Sequence, residues 1–415
     1  MQTSLADYIR DTEAGREADA ILRACVHCGF CNATCPTYQL LGDELDGPRG
    51  RIYLMKQVLE GRAPSAATRR HLDRCLTCRN CETTCPSGVR YGRLLEIGRE
   101  LVERQAPRPP AERGARRLLR ALLLHPVRFA RLLELGRRAR PFLPESLKRA
   151  VPARVEPGPW PAPRHARHML VLQGCVQPAI APNINAAAAR VLDRLGISLV
   201  AVPESGCCGA VSQHTSAPEE ALAYARRNID AWWPALERGA EAIVTTASAC
   251  GLQVKDYGYY LRHDPAYAEK AARVSARTRD LSEVLAQEDL TPLGRAPNPR
   301  IAFHSPCTLQ HGQRLGGVVE QILARCGFEL TPVADAHLCC GAAGTWSLLH
   351  PALARRLRGA KLASLARGRP QLIASANIGC IAHLQGGTGV PVRHWIELLA
   401  DATVGANPQP AEAVA

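Results

Sequence analysis

No window of this 415-residue chain reaches the roughly 18 uninterrupted apolar residues of a membrane-spanning helix, which excludes one as an organising element. Residues 1–23 are polar and of mixed charge, with no basic stretch leading into an apolar one, so no Sec signal is expected. No G-x-G-x-x-G follows a strand-like run. The late cluster Gly386-Gly-Thr-Gly389 lacks an acidic residue at the proper distance and reads as a turn, so no flavin or nicotinamide site is expected on this chain. Aromatic residues are scarce where positive charge is dense. From Arg104 to His168, 15 Arg and 1 Lys face 4 Glu, a net +12 out of the chain's +14, with only Phe129, Phe142 and Trp160 among them. A nucleic-acid binder would more often interleave aromatics on a basic folded face, so no nucleic-acid partner is expected.

Cysteine, by contrast, is abundant, at 17 residues. With no Sec signal expected, these read as metal-binding thiols of a reducing, cytoplasmic compartment. Cys25, Cys28, Cys31 and Cys35 precede Pro36, and Cys75, Cys78, Cys81 and Cys85 precede Pro86. Each run reads C-x2-C-x2-C-x3-C-P, the bacterial ferredoxin spacing, in which three thiolates wrap one [4Fe-4S] cluster and the fourth crosses to the other. That spacing assigns Cys25, Cys28, Cys31 and Cys85 to one cluster and Cys35, Cys75, Cys78 and Cys81 to the second. Zinc is the competing reading, but a third cysteine at the same step and a repeated C-P fit two-knuckle tetrahedral sites poorly.

In chain order, residues 1–104 form a ferredoxin-type domain. Residues 5–24 read as one helix with Leu5, Tyr8, Ile9, Ala20 and Leu22 as candidate buried contacts; a turn at Gly47-Pro48 opens a helix from Arg51, and another runs from Tyr91 to Arg104. The arginines before Ile52 could steady cluster sulfur or a partner's acidic residue, or simply start a solvated helix. Backbone amides of the Cys28-Gly29 and Cys81-Glu82 turns are the expected donors to sulfur. Residues 105–166 read as a basic linker holding two amphipathic Leu/Arg helices, suited either to packing on the chain's own domains or to peripheral contact with an anionic membrane face.

From residue 167 the chain repeats. Cys175 precedes Cys207-Cys208-Gly209 by 32 residues, as Cys307 precedes Cys339-Cys340-Gly341, and Cys250 and Cys380 follow at similar distances. Two α/β modules, 167–290 and 298–402, are expected. In each, three short strands alternate with helices to form a parallel sheet: 169–173, 198–202 and 243–246, then 301–304, 330–333 and 372–375. Every cysteine group follows the carboxyl end of a strand, where open α/β sheets bind ligands. Cys175, Cys207, Cys208 and Cys250 make a candidate third metal site, and Cys307, Cys339, Cys340 and Cys380 a fourth. The alternative is a set of buried structural thiols, which duplication at matching offsets disfavours; Cys326, with no counterpart, reads as core. His304, His311, His337 and His383 lie near the cysteine loops and are expected to hydrogen-bond around them rather than ligate.

The modules resemble the cysteine-rich CCG domains of heterodisulfide reductase, whose full motif ends in C-x2-C and supplies five cysteines to a noncubane [4Fe-4S] cluster; here Ala247 and Asn377 replace the first cysteine of that pair. Over nearly the whole chain the layout, with Gly-Pro-Arg-Gly-Arg-Ile-Tyr-Leu-Met-Lys56, Ser-Gly-Cys-Cys-Gly209 and Ala-Cys-Gly-Leu-Gln-Val-Lys-Asp-Tyr257, is similar to the iron–sulfur subunits of bacterial glycolate oxidase. The corresponding iron–sulfur component of anaerobic glycerol-3-phosphate dehydrogenase shares the layout. The resemblance implies an electron-transfer subunit that is not catalytic alone, FAD-binding partner subunits that oxidise glycolate to glyoxylate, and a quinone-type acceptor. Related dehydrogenases of glycerol 3-phosphate or lactate, a heterodisulfide-reductase-like enzyme, and a metal-dependent scaffold are the alternatives.

Overall fold

The computed structural model describes residues 1–144, 148, 151–294 and 299–405. The expected start of the second module, at 298, lies outside them. A helical domain comes first, built on the helices Glu13–Ala24, Pro48–Leu59 and Tyr91–Gln105, whose Leu22, Met55, Leu59, Leu94 and Leu95 are fully buried together. Pro48 starts the middle helix, where its missing N–H costs nothing and its fixed φ suits the first turn. The single helix expected over residues 5–24 is two, Asp7–Arg10 and Glu13–Ala24. Thr12 divides them: its extended backbone leaves the helix while its hydroxyl donates to Ile9 O (2.7 Å) and accepts from Gly15 N (3.0 Å), capping the second segment. Tyr8 and Ala20, expected inside, are exposed.

Two α/β modules follow, each with four parallel strands rather than the expected three. The first comprises β1 (Arg167–Val171), β2 (Ile197–Ala201), β3 (Ile243–Thr245) and β4 (Thr278–Asp280), in the order β2-β1-β3-β4. The second comprises β5 (Arg300–His304), β6 (Glu329–Leu330), β7 (Leu372–Ser375) and β8 (Val392–His394), in the order β6-β5-β7-β8. β4 and β8 are three residues long with Arg279 and Arg393 at their centres, so no apolar run announces them. β6 keeps only two of the residues in its neighbourhood as strand. In each sheet the chain order reverses between the first strand and the third, the place where such sheets open a crevice at their carboxyl ends.

The modules share a core and meet at these crevices. His394 Nε2 donates to Thr246 O (2.8 Å), and Ser248 N donates to Ala376 O (3.1 Å). The helical domain docks on both. Arg93 and Arg79 pair with Asp256 of the first module (2.7 and 3.1 Å); on the second, Trp346 Nε1 donates to Asp73 O (3.1 Å) and Asn80 Nδ2 to His337 O (3.1 Å). Of the two linker helices, Pro110–Leu123 packs inward: Arg116 reaches Asp73, Arg120 pairs with Glu220, and Leu124 covers Cys207. Pro126–Ala139 buries no residue fully, leaving Val127, Leu132 and Leu135 exposed among Arg128, Arg131 and Arg138. Among the described residues, no helix is long and apolar enough to cross a membrane.

Candidate metal centres

The two cysteine runs wrap two adjoining hollows. Cys25, Cys28 and Cys31 line the first together with Cys85 from the other run. Cys75, Cys78 and Cys81 line the second with Cys35, and Cys81 and Tyr91 border both. Each run thus sends its fourth cysteine across. The wrapping requires left-handed backbone at the same two steps of both runs, His27 (φ 61°) and Gly29 (φ 86°) in one and Thr77 (φ 53°) and Arg79 (φ 57°) in the other. Three of these four are not glycine, so the loops hold strain of about 1–2 kcal/mol per residue that the surrounding fold must sustain.

That strain turns amides toward sulfur. Thr77 N donates to Cys75 Sγ (3.4 Å), and the amides of His27 and Asn80 serve Cys25 and Cys78. Of the expected donors, Glu82 N is instead taken by Arg79 O (3.0 Å) inside the short Asn80–Thr84 helix. Burial, and then the neighbouring thiols, push the Cys31 thiol up to about 11 and Cys78 and Cys81 well above the usual range. Four such groups cannot all ionise unless a cation sits among them. A thiol-rich, strained, amide-lined hollow fits a soft metal cluster and has no comparable use as packing. The first hollow reaches solvent through exposed Cys28, flanked by Val26 and Phe30, which are 68% and 61% exposed, whereas all four cysteines of the second are buried.

Arg51 stands behind the second hollow, 1% exposed. Its Nε donates to His71 O (2.7 Å), its terminal nitrogens to Thr37 Oγ1 (3.2 Å each), and it pairs with the fully buried Asp46. Thr37 Oγ1 in turn lies 3.3 Å from Cys35 Sγ. Burial opposes the guanidinium charge, but Cys75, Tyr91, Cys35 and Asp46 more than offset it and push its pKa up. Of the sequence readings for these arginines, support of the cysteine site is the one Arg51 takes.

In the modules, three loops bring the thiols together as expected of the carboxyl edge. Cys175 contacts Cys207, which leads through Cys208 to Cys250. Cys307 Sγ lies 3.8 Å from Cys339 Sγ, and Cys339 leads through Cys340 to Cys380. Gly209 (φ 85°) and Gly341 (φ 88°) make both turns possible, and each donates its N–H to the preceding sulfur, Cys207 or Cys339, at 3.4 Å. A Cβ on Gly341 would stand 2.8 Å from Leu357 Cβ. Asn377, at the position of the absent fifth cysteine, donates to Cys380 Sγ (3.5 Å). Cys326 is core, 3% exposed.

The fourth site adjoins the second hollow. Cys78 and Cys339 belong to one buried group with Trp346, against which Cys307 packs. Of the four histidines, His311 is held by Thr83 Oγ1 and His337 O (2.9 Å each), His383 donates to Ala354 O (3.3 Å), and His337 offers its carbonyl. Only His304 faces thiols, its ring nitrogen lying within 4.8 Å of the Cys340 and Cys380 sulfurs. Sequence reasoning missed His214, which lines a hollow with Cys75, Arg99 and Arg116 while remaining exposed. No spacing singles it out.

Residues 21–89 match the 4Fe-4S dicluster domain, and residues 169–255 and 301–385 each match the Cysteine-rich domain. The chain is 57% identical over 403 residues to the glycolate oxidase iron-sulfur subunit of Escherichia coli (strain K12), covering 97% of this chain and 99% of that one. The chain belongs to that family. A probable glycolate oxidase iron-sulfur subunit of Bacillus subtilis (strain 168) is 29% identical over 392 residues, 87% of this chain and 88% of that one. A solved hypothetical protein from Helicobacter pylori superposes with a TM-score of 0.55 at 11% identity, over 95% of this chain and 74% of that one, which shows a shared fold alone. Membership makes the chain an iron–sulfur, electron-transferring subunit of an oxidoreductase, with a helical ferredoxin-type domain followed by two α/β cysteine-rich modules.

Proposed function

We propose that this chain carries electrons out of a glycolate-oxidising complex, from an FAD-bearing partner subunit that forms glyoxylate to a quinone-type acceptor. The observation that supports this is the unbroken row of thiol sites from the solvent-facing hollow, through the buried one, to Cys307 and Cys339. Cys25, Cys28, Cys31 and Cys85 hold one [4Fe-4S] cluster, Cys35, Cys75, Cys78 and Cys81 a second, and the module cysteines hold further iron–sulfur centres. Such clusters supply one-electron carriers that divide a two-electron oxidation into single steps.

The chain's own residues set the route. Cys28, with exposed Val26 and Phe30 beside it, presents the first site to the flavin subunit. Burial of Cys75, Cys78 and Cys81 keeps water from the second, and Arg51 supplies positive charge behind it. Ion pairs of Arg79 and Arg93 with Asp256 fix the helical domain on the modules and so fix the spacing between sites. The exposed Leu/Arg face of Pro126–Ala139 contacts an anionic membrane, where a quinone is reached. The test uses the whole complex with Cys78→Ser. Glycolate should still bleach the partner's flavin while quinone reduction is lost; quinone reduction at the wild-type rate would overturn the proposal.

A further inference from the structure

His304 ends β5 at 2% exposure, in register with Ser375 of β7. The Ser375 hydroxyl donates to His304 O (2.9 Å), which leaves its oxygen to accept from His304 Nδ1 (3.0 Å). The proton is thereby placed on Nδ1, and Nε2 carries a bare lone pair. Nε2 is buried with no hydrogen-bond partner, an arrangement costly enough in a protein interior to call for a cause. A His304 ring nitrogen lies within 4.8 Å of both the Cys340 and Cys380 sulfurs, and with Nδ1 engaged by Ser375 the nitrogen available to them is Nε2. Thiolates ligating a metal have no proton to offer that lone pair, and two anionic sulfurs facing it repel it. A shared metal resolves both conflicts, and the Nδ1–H···Oγ bond is the outer support that orients a ligating imidazole. In the first module the position three residues before the leading cysteine is Leu172, which offers no imidazole there.

We propose that His304 Nε2 ligates the metal centre of the second module together with Cys307, Cys339, Cys340 and Cys380, standing in for the thiolate absent at Asn377. This rests on the reading that the second module holds iron. The two modules then carry centres of different chemistry, the second with an imidazole ligand that the first lacks at the matching position. A neutral imidazole in place of a thiolate leaves the centre less negative and raises its potential, as histidine does in Rieske centres. The site beside Cys78 thereby becomes the better electron sink.

The test is pulsed EPR on the full-length protein, purified anaerobically with 15N-histidine, taking the signal lost in Cys380→Ser as that of the second module. A strong, directly bonded nitrogen coupling in that signal is expected. It should vanish in His304→Leu, and in His304→Cys, which should keep its iron and shift the midpoint potential to more negative values. Iron present with only a weak nitrogen coupling, and a potential unmoved in His304→Cys, would make His304 an N–H···S donor and overturn the inference alone. No loss of iron or of any signal in Cys380→Ser would overturn the inference and the reading of the module as a metal site together.

Discussion

Replacing Arg51 by leucine tests how the helical domain supports its buried cysteine site. The substitution removes three hydrogen-bonded nitrogens from a pocket where Arg51 is 1% exposed and Asp46 fully buried. Deleting one partner of a buried ion pair costs about 3–5 kcal/mol. Asp46 keeps Arg74 (2.7 Å) and His71 (3.1 Å), which places the expected loss at the low end, about 3 kcal/mol. With the helical domain clamped to the modules as one unit of roughly 400 residues, that corresponds to a fall of roughly 4 °C in the unfolding midpoint. Loss of a positive charge next to Cys35 and Cys75 should also move the potential of the second cluster to more negative values. Anaerobic thermal unfolding and an EPR-monitored redox titration measure both. Arg51→Lys, which keeps the charge but not the fork, should restore most of the potential and only part of the stability. A midpoint change within about 2 °C and an unmoved potential in Arg51→Leu would refute the reasoning, since a solvated helix-start arginine is worth no more than about 0.5 kcal/mol.

Cys85→Ser should disturb the cluster of the first run, the solvent-facing one, while the EPR signal of the cluster held by Cys75, Cys78 and Cys81 survives; the opposite pattern would mean that the fourth cysteines do not cross. Burial raises the pKa of Asp280 to about 6, so between its ordinary value of 3.8 and about 6 the folded protein binds a proton that the unfolded chain releases, and stability falls as pH rises through that window. Asp280→Asn should flatten that decline, worth about 3 kcal/mol, in unfolding measured across pH; an unchanged slope would place the dependence elsewhere. Exposed Arg128, Arg131 and Arg138 each contribute about 1 kcal/mol to contact with an anionic membrane, so changing all three to glutamine should weaken sedimentation with anionic vesicles roughly 100-fold and leave neutral vesicles unaffected. Unaltered affinity for anionic vesicles would remove the membrane role of that helix.

What could be read from the sequence was whatever local spacing or apolar runs encode. The C-x2-C-x2-C-x3-C-P spacing carries the grouping of Cys85 with the first run and Cys35 with the second, because in the ferredoxin pattern three thiolates wrap one cluster and the fourth reaches the other. The 32-residue offset to each Cys-Cys-Gly turn carries the duplication, and the apolar strands 197–201 and 372–375 carry the sheets. β4 and β8 escaped because Arg279 and Arg393 interrupt three-residue strands whose neighbours, not their own side chains, hold them in the sheet. The break at Thr12 escaped because a capping hydroxyl reads the same as a solvated one. Whether Arg51 served a site or solvent depended on Asp46, Thr37 and His71 converging on it, which no periodicity records. His304 differed from His311 and His383 only once Ser375 had fixed its tautomer and the Cys340 and Cys380 loops had closed over it.

Iron and acid-labile sulfide analysis of the anaerobically purified full-length protein, with low-temperature EPR before and after dithionite, tests most directly whether an iron–sulfur path runs from the ferredoxin-type domain into the modules. The two [4Fe-4S] clusters alone account for about 8 iron atoms. A path that continues into the modules predicts more, about 12–16, with signals beyond those of two interacting reduced cubanes. Iron at about 8 or below, or tightly bound zinc with no EPR signal, would contradict it.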